Sequence, residues 1–373
     1  MEKNFYTAID IGEKYIKVVV ANYAFGQLSV CAANCVKTQG ISNGEIVSRK
    51  DVLQSLELAI GPIQEQGFDV SKVLLVLPSS KMKIYRKRST IEIVTPDRVI
   101  APRDVRELKQ TFQRSTIPLD EMIVNIIPLH YLLDDKLING YNPVGMTASK
   151  VQFDASVVTL PKAIARGYVD LVQDLGIEVL NAVVSTYALY SLVPTQKQKE
   201  NGCIMVDIGG RNTVIADVAH NQVMRVEKFN FGGQYITNSI AKEFGVTLEV
   251  AEYLKHKFAT LESSYGEDII LYSDDLLHVE VSERKLENAM QKCCSEFCFE
   301  LNNLINRWSI DTFNVPIIFV GGGANLKGFE QKFATLGNKN TFRYLSPFVG
   351  ARGLEYLSCL GIIKRHVDEN SKS

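Results

Sequence analysis

Apolar residues occur along this chain in short runs that glycine turns separate. Runs at 4–20, 72–78 and 204–218 are short and rich in β-branched residues, whereas apolar residues recur at helical spacing in 51–66 and 282–310. Strands that alternate with helices in this way are typical of sheets covered by helices. The pattern therefore predicts an α/β protein.

The run from Ile204 to Asp217 is the most informative one. It reaches Asp207, turns through Gly209 and Gly210, and resumes as a second strand from Thr213. A strand, a glycine turn and a strand predict a hairpin whose tip can bring backbone N–H groups against a phosphate. An acid at such a tip can hold Mg²⁺ through water. An ordinary turn explains the same residues, and this stretch alone does not decide between the two interpretations.

Two further elements change that balance. The segment Ala8–Val20 repeats the pattern, with Asp10 in the place of Asp207 and Gly12 in the place of Gly209. A third element is a strand that runs into three glycines, Gly321–Gly323, where the backbone can approach a nucleotide closely. Together they predict two related lobes that share one nucleotide-binding cleft.

The order of these elements resembles that of the actin, sugar-kinase and heat-shock-chaperone ATPase fold. Within that fold the chain resembles the FtsA family of bacterial actin homologues. Four segments carry this closer resemblance through nearly the whole chain: Gly40–Val47, Asn142–Met146, Phe231–Ala241 and Ala251–Lys255. The resemblance implies a two-lobed actin-like ATPase fold with a small α+β inserted subdomain in the first lobe.

Domain boundaries follow from the resemblance and from the local pattern. We predict a first lobe at 1–80 and 161–194, an inserted subdomain at 81–160, a second lobe at 202–365 whose outer subdomain is 230–300, and a polar tail at 366–373. The polar run 195–202 is predicted as the linker between the lobes. Within the insert the pattern predicts a helix at 102–112 and strands at 122–131 and 149–160.

The resemblance also implies a binding site for ATP and Mg²⁺, with Asp10 and Asp207 positioning the metal through water. The residues implied to contact the nucleotide are Asp10, Gly12, Glu13, Lys14, Asp207, Gly209, Gly210, Arg211, Asn212, Gly233, Glu252, Lys255, Gly321, Gly322 and Gly323. For Glu252 and Lys255, which share a helix face, a simple intrahelical ion pair explains the spacing equally well. No catalytic residue is predicted.

Several positions depart from the family pattern. Glu13 stands where the family has Ser or Thr, and its carboxylate would repel phosphates unless it turned outward. Arg211 and Asn212 replace the third Gly and the first Thr of the second hairpin, and Val214 replaces the acid that ends the motif. Asn181 aligns with a family Glu that could activate water. We therefore predict ATP binding with slow or absent hydrolysis.

Composition narrows the class of protein. With 41 basic and 42 acidic residues the net charge is −1, so no basic field indicates nucleic acid as a partner. The N-terminus has no apolar signal region and no run has the length of a membrane span, which predicts a cytoplasmic location. Seven cysteines without a C-x-x-C pair are interpreted as reduced core residues.

The predicted function is that of an FtsA-like scaffold that binds the FtsZ C-terminal tail and links the division ring to the septal membrane. The resemblance also implies other division proteins as partners, self-association into dimers or filaments, and a peripheral location at the inner face of the membrane at the division site. Because residues 366–373 lack an amphipathic pattern, we expect indirect membrane contact. The alternative is a PilM-type pilus-assembly adaptor that binds a membrane-protein peptide. A sugar kinase of the same fold is disfavoured, since no catalytic acid stands in a sugar pocket.

Overall fold

A computed structural model describes residues 5–24, 26–113, 117–138, 142–262, 268–276, 278–310, 314–334 and 340–370. The first lobe begins with β1 (Phe5–Ile11), β2 (Tyr15–Ala24), β3 (Gln27–Lys37), β4 (Ile41–Ser42), β5 (Glu45–Ile46), α1 (Arg49–Glu65) and β6 (Lys72–Leu77). The insert consists of β7 (Lys83–Glu92), α2 (Pro102–Gln113), β8 (Glu121–Leu133), β9 (Lys136–Leu137) and β10 (Lys150–Pro161). The chain returns to the first lobe through α3 (Lys162–Gln173), β11 (Glu178–Val184) and α4 (Ser185–Leu192).

The second lobe follows the short helix α5 (Gln196–Asn201). Its strands and helices are β12 (Cys203–Ile208), β13 (Thr213–Ala219), β14 (Gln222–Phe229), α6 (Gly233–Phe244), α7 (Leu248–Phe258), β15 (Ile270–Asp274), β16 (Val279–Ser282), α8 (Glu283–Arg307), β17 (Ile317–Val320), α9 (Phe329–Ala334) and β18 (Thr341–Arg343). The last helix is α10 (Leu357–Asn370). Single 3₁₀ turns lie at Gly322–Asn325 and Leu354–Tyr356. The α/β prediction is confirmed.

The two main sheets share a common plan. The first has the strand order β11-β6-β1-β2-β3, and the second has the order β14-β13-β12-β17-β18. In each sheet an antiparallel hairpin, β1–β2 or β12–β13, lies beside a parallel strand, β6 or β17. This shared plan is what the repeated Asp-Ile-Gly pattern predicted, since similar sequences fold to similar hairpins in the two sheets.

The central residues of the hairpin strands are buried, as is typical of sheets covered by helices. Ile9 and Val19 in the first sheet and Val206 and Ile215 in the second have no exposed surface, and they belong to one continuous core. The insert has its own core, in which the rings of Tyr131 and Phe153 stack at a centroid distance of 4.5 Å. Rigid sheets therefore hold both hairpin tips in place.

The insert is a four-stranded sheet, β7-β10-β8-β9, with α2 packed against it. Its predicted helix and strands are present. The insert also reaches the second lobe, where Arg86 donates hydrogen bonds to the Gln222 side chain and, at 3.4 Å, to the carbonyl of Val223.

Three expectations need correction. The predicted linker contains α5, because Thr195 and Gln198 form a capping box that nucleates a helix in a polar segment. The helix α10 extends to Asn370, so 366–370 are helical rather than a separate tail, and an ion pair from Lys364 to Asp368 at 2.6 Å supports this last part. The remaining residues of the predicted polar tail, 371–373, lie outside the described part of the chain.

The third correction concerns the place of α10, which we predicted as part of the second lobe. It packs on the first sheet and against α4. A Cβ at Gly361 would overlap the carbonyl oxygen of Ala188, so the two helices are in direct backbone contact. Among the cysteines, Cys31 is exposed and Cys35 is half-buried, while the other five are buried as expected. Within the described segments, no helix has the length and hydropathy needed to cross a bilayer.

Candidate nucleotide-binding cleft

The tips of the two Asp-Ile-Gly hairpins face each other across the space between the lobes. Each tip closes with a tight backbone bond, from Gly12 N to Tyr15 O at 3.1 Å and from Gly209 N to Asn212 O at 2.9 Å. A Cβ at Gly210 would lie 2.6 Å from the Cβ of Lys14, so the tips are in contact. The two hairpin tips therefore meet between the lobes, where the shared site is predicted.

At the first tip, Asp10 lies between two partners. Lys17 is its cross-strand neighbour in register, with Nζ 2.9 Å from Asp10 Oδ2. Ser358, from the last helix, donates to the same oxygen at 2.5 Å. Burial alone would lower the pKa of Lys17, but the Asp10 carboxylate outweighs it and raises that pKa above its ordinary value. Lys17 is therefore a buried, protonated partner of Asp10.

At the second tip, Asp207 has a different environment. Its cross-strand neighbour is Val214, which brings no charge. Burial, and after it the nearby Asp10 carboxylate, raise the pKa of Asp207 to about 6, although Lys17 partly opposes this. A buried carboxylate with a raised pKa lacks cationic compensation.

This pair of acids is suited to Mg²⁺. The repulsion between Asp10 and Asp207 is what a divalent cation between the lobes would relieve, and carboxylates with waters form the ligand set that Mg²⁺ prefers. Asp207 and Asp10 would hold the ion, whose chemistry would be to neutralise phosphate charge. Lys17 already neutralises part of Asp10, so Asp207 would contribute the larger share of the attraction.

Glu252 is the centre of a charged network on α7. Its carboxylate binds Lys14 Nζ of the first tip at 2.5 Å, Lys255 Nζ at 2.7 Å and His256 Nε2 at 2.9 Å. The hydroxyl of Thr237 also donates to it. Although burial would raise the pKa of Glu252, these hydrogen bonds lower it well below its ordinary value.

Lys255 also contacts the start of α6, because its Nζ lies 3.0 Å from the carbonyl oxygen of Gly233. Burial, together with the nearby Lys14, lowers the pKa of Lys255 to about 8 even though Glu252 opposes this. The predicted intrahelical pair of Glu252 and Lys255 is thus present, and Lys14 extends it across the cleft.

The glycines around the cleft serve contacts of the chain with itself. Cβ atoms at Gly321 and Gly323 would overlap the end of β12, at Asp207 Oδ1 and at Ile208. A Cβ at Gly232 would lie 2.7 Å from the carbonyl oxygen of Gly209, where α6 begins. At Gly322 the nearest atom would be Glu355 Cβ at 3.6 Å, an ordinary contact. Close packing of the two glycine turns on the second hairpin explains most of these positions.

The departures from the family pattern interact with one another. Glu13 Oε1 accepts a hydrogen bond from Asn43 N at 2.5 Å and lies 3.2 Å from Arg211 Nε. The Glu13 side chain is only 11% exposed, so it does not turn outward, and Arg211 neutralises it instead. Arg211 also donates to Ser42 Oγ at 3.3 Å. Asn181 lies away from the tips, beside the groove between the insert and the first lobe.

Several residues of the cleft were not predicted, among them Lys17, Thr237 and Ser358. Lys17 carried a detectable signal, because a hairpin closed between Asp10 and the following strand places it opposite that acid. Thr237 follows Gly233 by one helical turn, which also places it at the cleft. Ser358 carried no signal, since nothing local indicates that the last helix returns to the first lobe.

Two family models match the chain. The model for the cell division protein FtsA matches residues 204–361, and the model for the SHS2 domain inserted in FtsA matches residues 80–159. Together they span 238 of the 373 residues. The second match coincides with the predicted insert to within one residue at each end.

Similar proteins extend this likeness over nearly the whole chain. The FtsA of Staphylococcus epidermidis is 24% identical over 379 aligned residues, which cover 98% of this chain and 80% of that protein. The FtsA of Bacillus subtilis is 22% identical, with 96% and 82% covered.

Solved structures show the fold. The PilM–PilN type IV pilus biogenesis complex gives a TM-score of 0.66 at 15% identity, covering 98% of this chain and 99% of that one. MreB5 of Spiroplasma citri bound to ADP gives a TM-score of 0.56 at 12% identity, with 99% of each chain covered. The predicted two-lobed actin-like fold with its insert is confirmed.

Proposed function

The chain belongs to the FtsA family of cell division proteins, and from that premise we propose that it is a nucleotide-binding scaffold that recruits FtsZ and links the division ring to the septal membrane. The observation that carries the nucleotide part is the meeting of both hairpin tips with α7 in one cleft, where Asp207 lacks a cation of its own. ATP with Mg²⁺ is the ligand that this cleft would take.

The same geometry supports slow or absent hydrolysis. Glu13 and Arg211 neutralise each other at the tips, and Asn181 lies away from them, beside the groove to the insert. Asp10 is already paired with Lys17, and Asp207 would be engaged by the metal ion, so both are poor candidates for a general base. Binding without rapid turnover suits a scaffold whose nucleotide acts as a ligand.

The FtsZ tail is assigned to the outer subdomain of the second lobe, 230–300. Here α7 packs beside β15, and three large apolar side chains of these elements are exposed: Leu248, Tyr253 and Ile270. Exposed apolar residues on neighbouring elements are a common feature of protein-binding surfaces. Other division proteins, self-association into dimers or filaments, and a cytoplasmic location at the inner face of the membrane at the division site belong to the same proposal.

The test is binding of a labelled peptide of the FtsZ C-terminal tail to the full chain, with and without Mg-ATP. We expect saturable binding that Ile270→Ser weakens about tenfold, since loss of one buried contact of this size costs about 1.4 kcal/mol. The control Val47→Ser removes an exposed apolar side chain from the first lobe and should leave binding unchanged. Absence of binding in both conditions would reject the FtsZ assignment.

The pilus-type adaptor remains the second candidate because of its structural likeness over the full chain. The two are separated by competition. A PilM-type partner peptide that displaces the FtsZ tail, or binds where the FtsZ tail does not, would favour the adaptor.

A further inference from the structure

Two ion pairs join the lobes at the mouth of the cleft, and each includes at least one residue of a hairpin tip. Lys14 of the first lobe pairs with Glu252 of the second at 2.5 Å. Arg211 of the second lobe pairs with Glu13 of the first at 3.2 Å. The polarity is reversed between the two pairs, so each lobe contributes one cation and one carboxylate.

Other bonds hold both carboxylates in place. Glu252 keeps Lys255, His256 and Thr237 as partners within the second lobe. Glu13 keeps the backbone amide of Asn43 within the first lobe. Because the carboxylates are fixed on opposite sides, a separation of the lobes must break the bonds to Lys14 and Arg211. The pairs therefore oppose opening of the cleft.

The cations of these pairs lie at the hairpin tips, where the proposed site would hold the phosphates. A polyphosphate would have to draw Lys14 and Arg211 away from their carboxylates, and Glu13 would repel it at short range. Since side chains of the chain itself already satisfy both cations, the nucleotide competes with them for the same charges.

We propose that the cleft is self-latched: Lys14–Glu252 and Glu13–Arg211 hold the lobes together without a ligand, and Glu13 limits the affinity for nucleotide polyphosphates. This inference rests on the proposed nucleotide site and adds its regulation. Bound Mg-nucleotide would then replace these pairs with its own contacts to Lys14 and Arg211.

The first test measures equilibrium binding of a fluorescent ATP analogue with Mg²⁺ to the wild type and to Glu13→Gln. Removal of one fixed repulsive charge should tighten binding about tenfold. The control Glu45→Gln removes the same charge from the same lobe, where Glu45 pairs with Lys81 without crossing the cleft. It should change affinity less than twofold. Equal effects of the two variants, or weaker binding by Glu13→Gln, would overturn the proposal.

The second test needs no nucleotide. Hydrogen exchange of peptides spanning 11–15 and 208–212 is compared between the wild type and Lys14→Met, with Lys81→Met as the control. The latch predicts that these peptides exchange about tenfold faster in Lys14→Met than in the wild type, and that Lys81→Met has no such effect. In high salt the wild-type exchange rate should rise toward that of Lys14→Met. Solution scattering should give a larger radius of gyration for Lys14→Met.

These outcomes separate the two proposals. Nucleotide binding without any effect of Lys14→Met or Glu13→Gln would reject the latch and leave the nucleotide site standing. Faster exchange in Lys14→Met with no nucleotide binding by any variant would support the latch and reject the nucleotide site. Unchanged exchange in Lys14→Met would contradict the latch in either case.

Discussion

Asp10 and Asp207 occupy equivalent places in the two hairpins, but different side chains face them across the turn. Asp10 lies opposite Lys17, whereas Asp207 lies opposite Val214 in the same register. The groups that cover the two acids differ as well, since Ser358 donates to Asp10 and the glycine turn at Gly321 closes over Asp207.

One cross-strand position therefore separates an acid with a lysine partner from an acid without one. Asp10 is part of a neutral buried pair that joins β1, β2 and α10. Asp207, with a pKa near 6, is the tip at which a cation would gain most. The repeat looks symmetric in sequence, but its two acids differ in charge compensation, since only Asp10 has a lysine partner.

The largest effect is expected for Lys17→Met, which makes the first tip resemble the second. Asp10 would become a buried charge without its cation, and breaking such a pair costs about 3–5 kcal/mol. The free energy of unfolding at pH 7 from urea denaturation measures the loss. Lys72→Met is the matched control, because its pair with Glu178 is exposed in the same sheet and is worth at most about 1 kcal/mol. Equal losses in both variants would remove Lys17 from its assigned role.

A somewhat smaller loss is expected when the cover over the second tip is changed by Gly321→Ala. Gly321 has φ near +81°, and its Cβ would overlap Asp207 Oδ1, so backbone strain and overpacking should together cost about 2–4 kcal/mol. At Gly322 the same substitution makes only an ordinary contact, with Glu355 Cβ at 3.6 Å, and should cost no more than about 1 kcal/mol. Thermal unfolding of the two variants compares them directly. If both were tolerated, the turn would not be the cover of Asp207.

The hairpins and the lobes could be predicted because their signals are local. A strand, a turn and a strand are predicted within a few residues by the pattern around Asp207, Gly209 and Gly210, and the repeat of this pattern at Asp10 supports the same prediction. Contacts between distant segments left no such trace. Glu13 and Arg211 were read as two separate departures, although each compensates the other across almost two hundred residues.

The helix in the predicted linker and the place of α10 were not predicted, for a different reason. The segment 195–202 was predicted as a linker from its polar composition, whereas its capping box at Thr195 and Gln198 is a specific helix signal that outweighs composition. The place of α10 could not be predicted from the chain order, since Ser358 and Gly361 reach the first lobe only through tertiary packing.

Asp207→Asn is expected to raise the stability of the protein at neutral and higher pH, whereas the substitutions above lower it. The pKa of this carboxyl is about 6 in the folded protein against 3.8 ordinarily, so the folded state holds the proton more tightly than the unfolded chain does. Its contribution is fully present below about pH 4 and is lost as the pH rises through 6. At pH 8 the variant should be more stable than the wild type by about 2–3 kcal/mol, and at pH 4 the difference should vanish.

Urea denaturation from pH 4 to pH 8 measures that difference, and Asp10→Asn is its control. Asp10→Asn leaves Lys17 without its partner, so it should destabilise at all of these pH values. Loss of Mg-nucleotide affinity should accompany the gain in stability in Asp207→Asn. A destabilised Asp207→Asn at pH 8 would show that the carboxylate is compensated after all.

The smallest change in stability is expected for Val214→Lys. This substitution tests the comparison most directly, because it gives the second tip the cross-strand lysine of the first. An ammonium group opposite Asp207 would copy the place of Lys17 and lower the pKa of Asp207 from about 6. The desolvation of the new lysine offsets most of the attraction, so the net change at pH 7 should stay within about 1 kcal/mol. The loss of stability between pH 4 and pH 6 that Asp207 causes should disappear in this variant, while Val214→Leu should retain it. If Val214→Lys kept the wild-type pH dependence, the cross-strand residue would not control the ionisation of Asp207. The turn at Gly321 that covers Asp207 would control it instead, and the two hairpins would differ only in the groups that surround them.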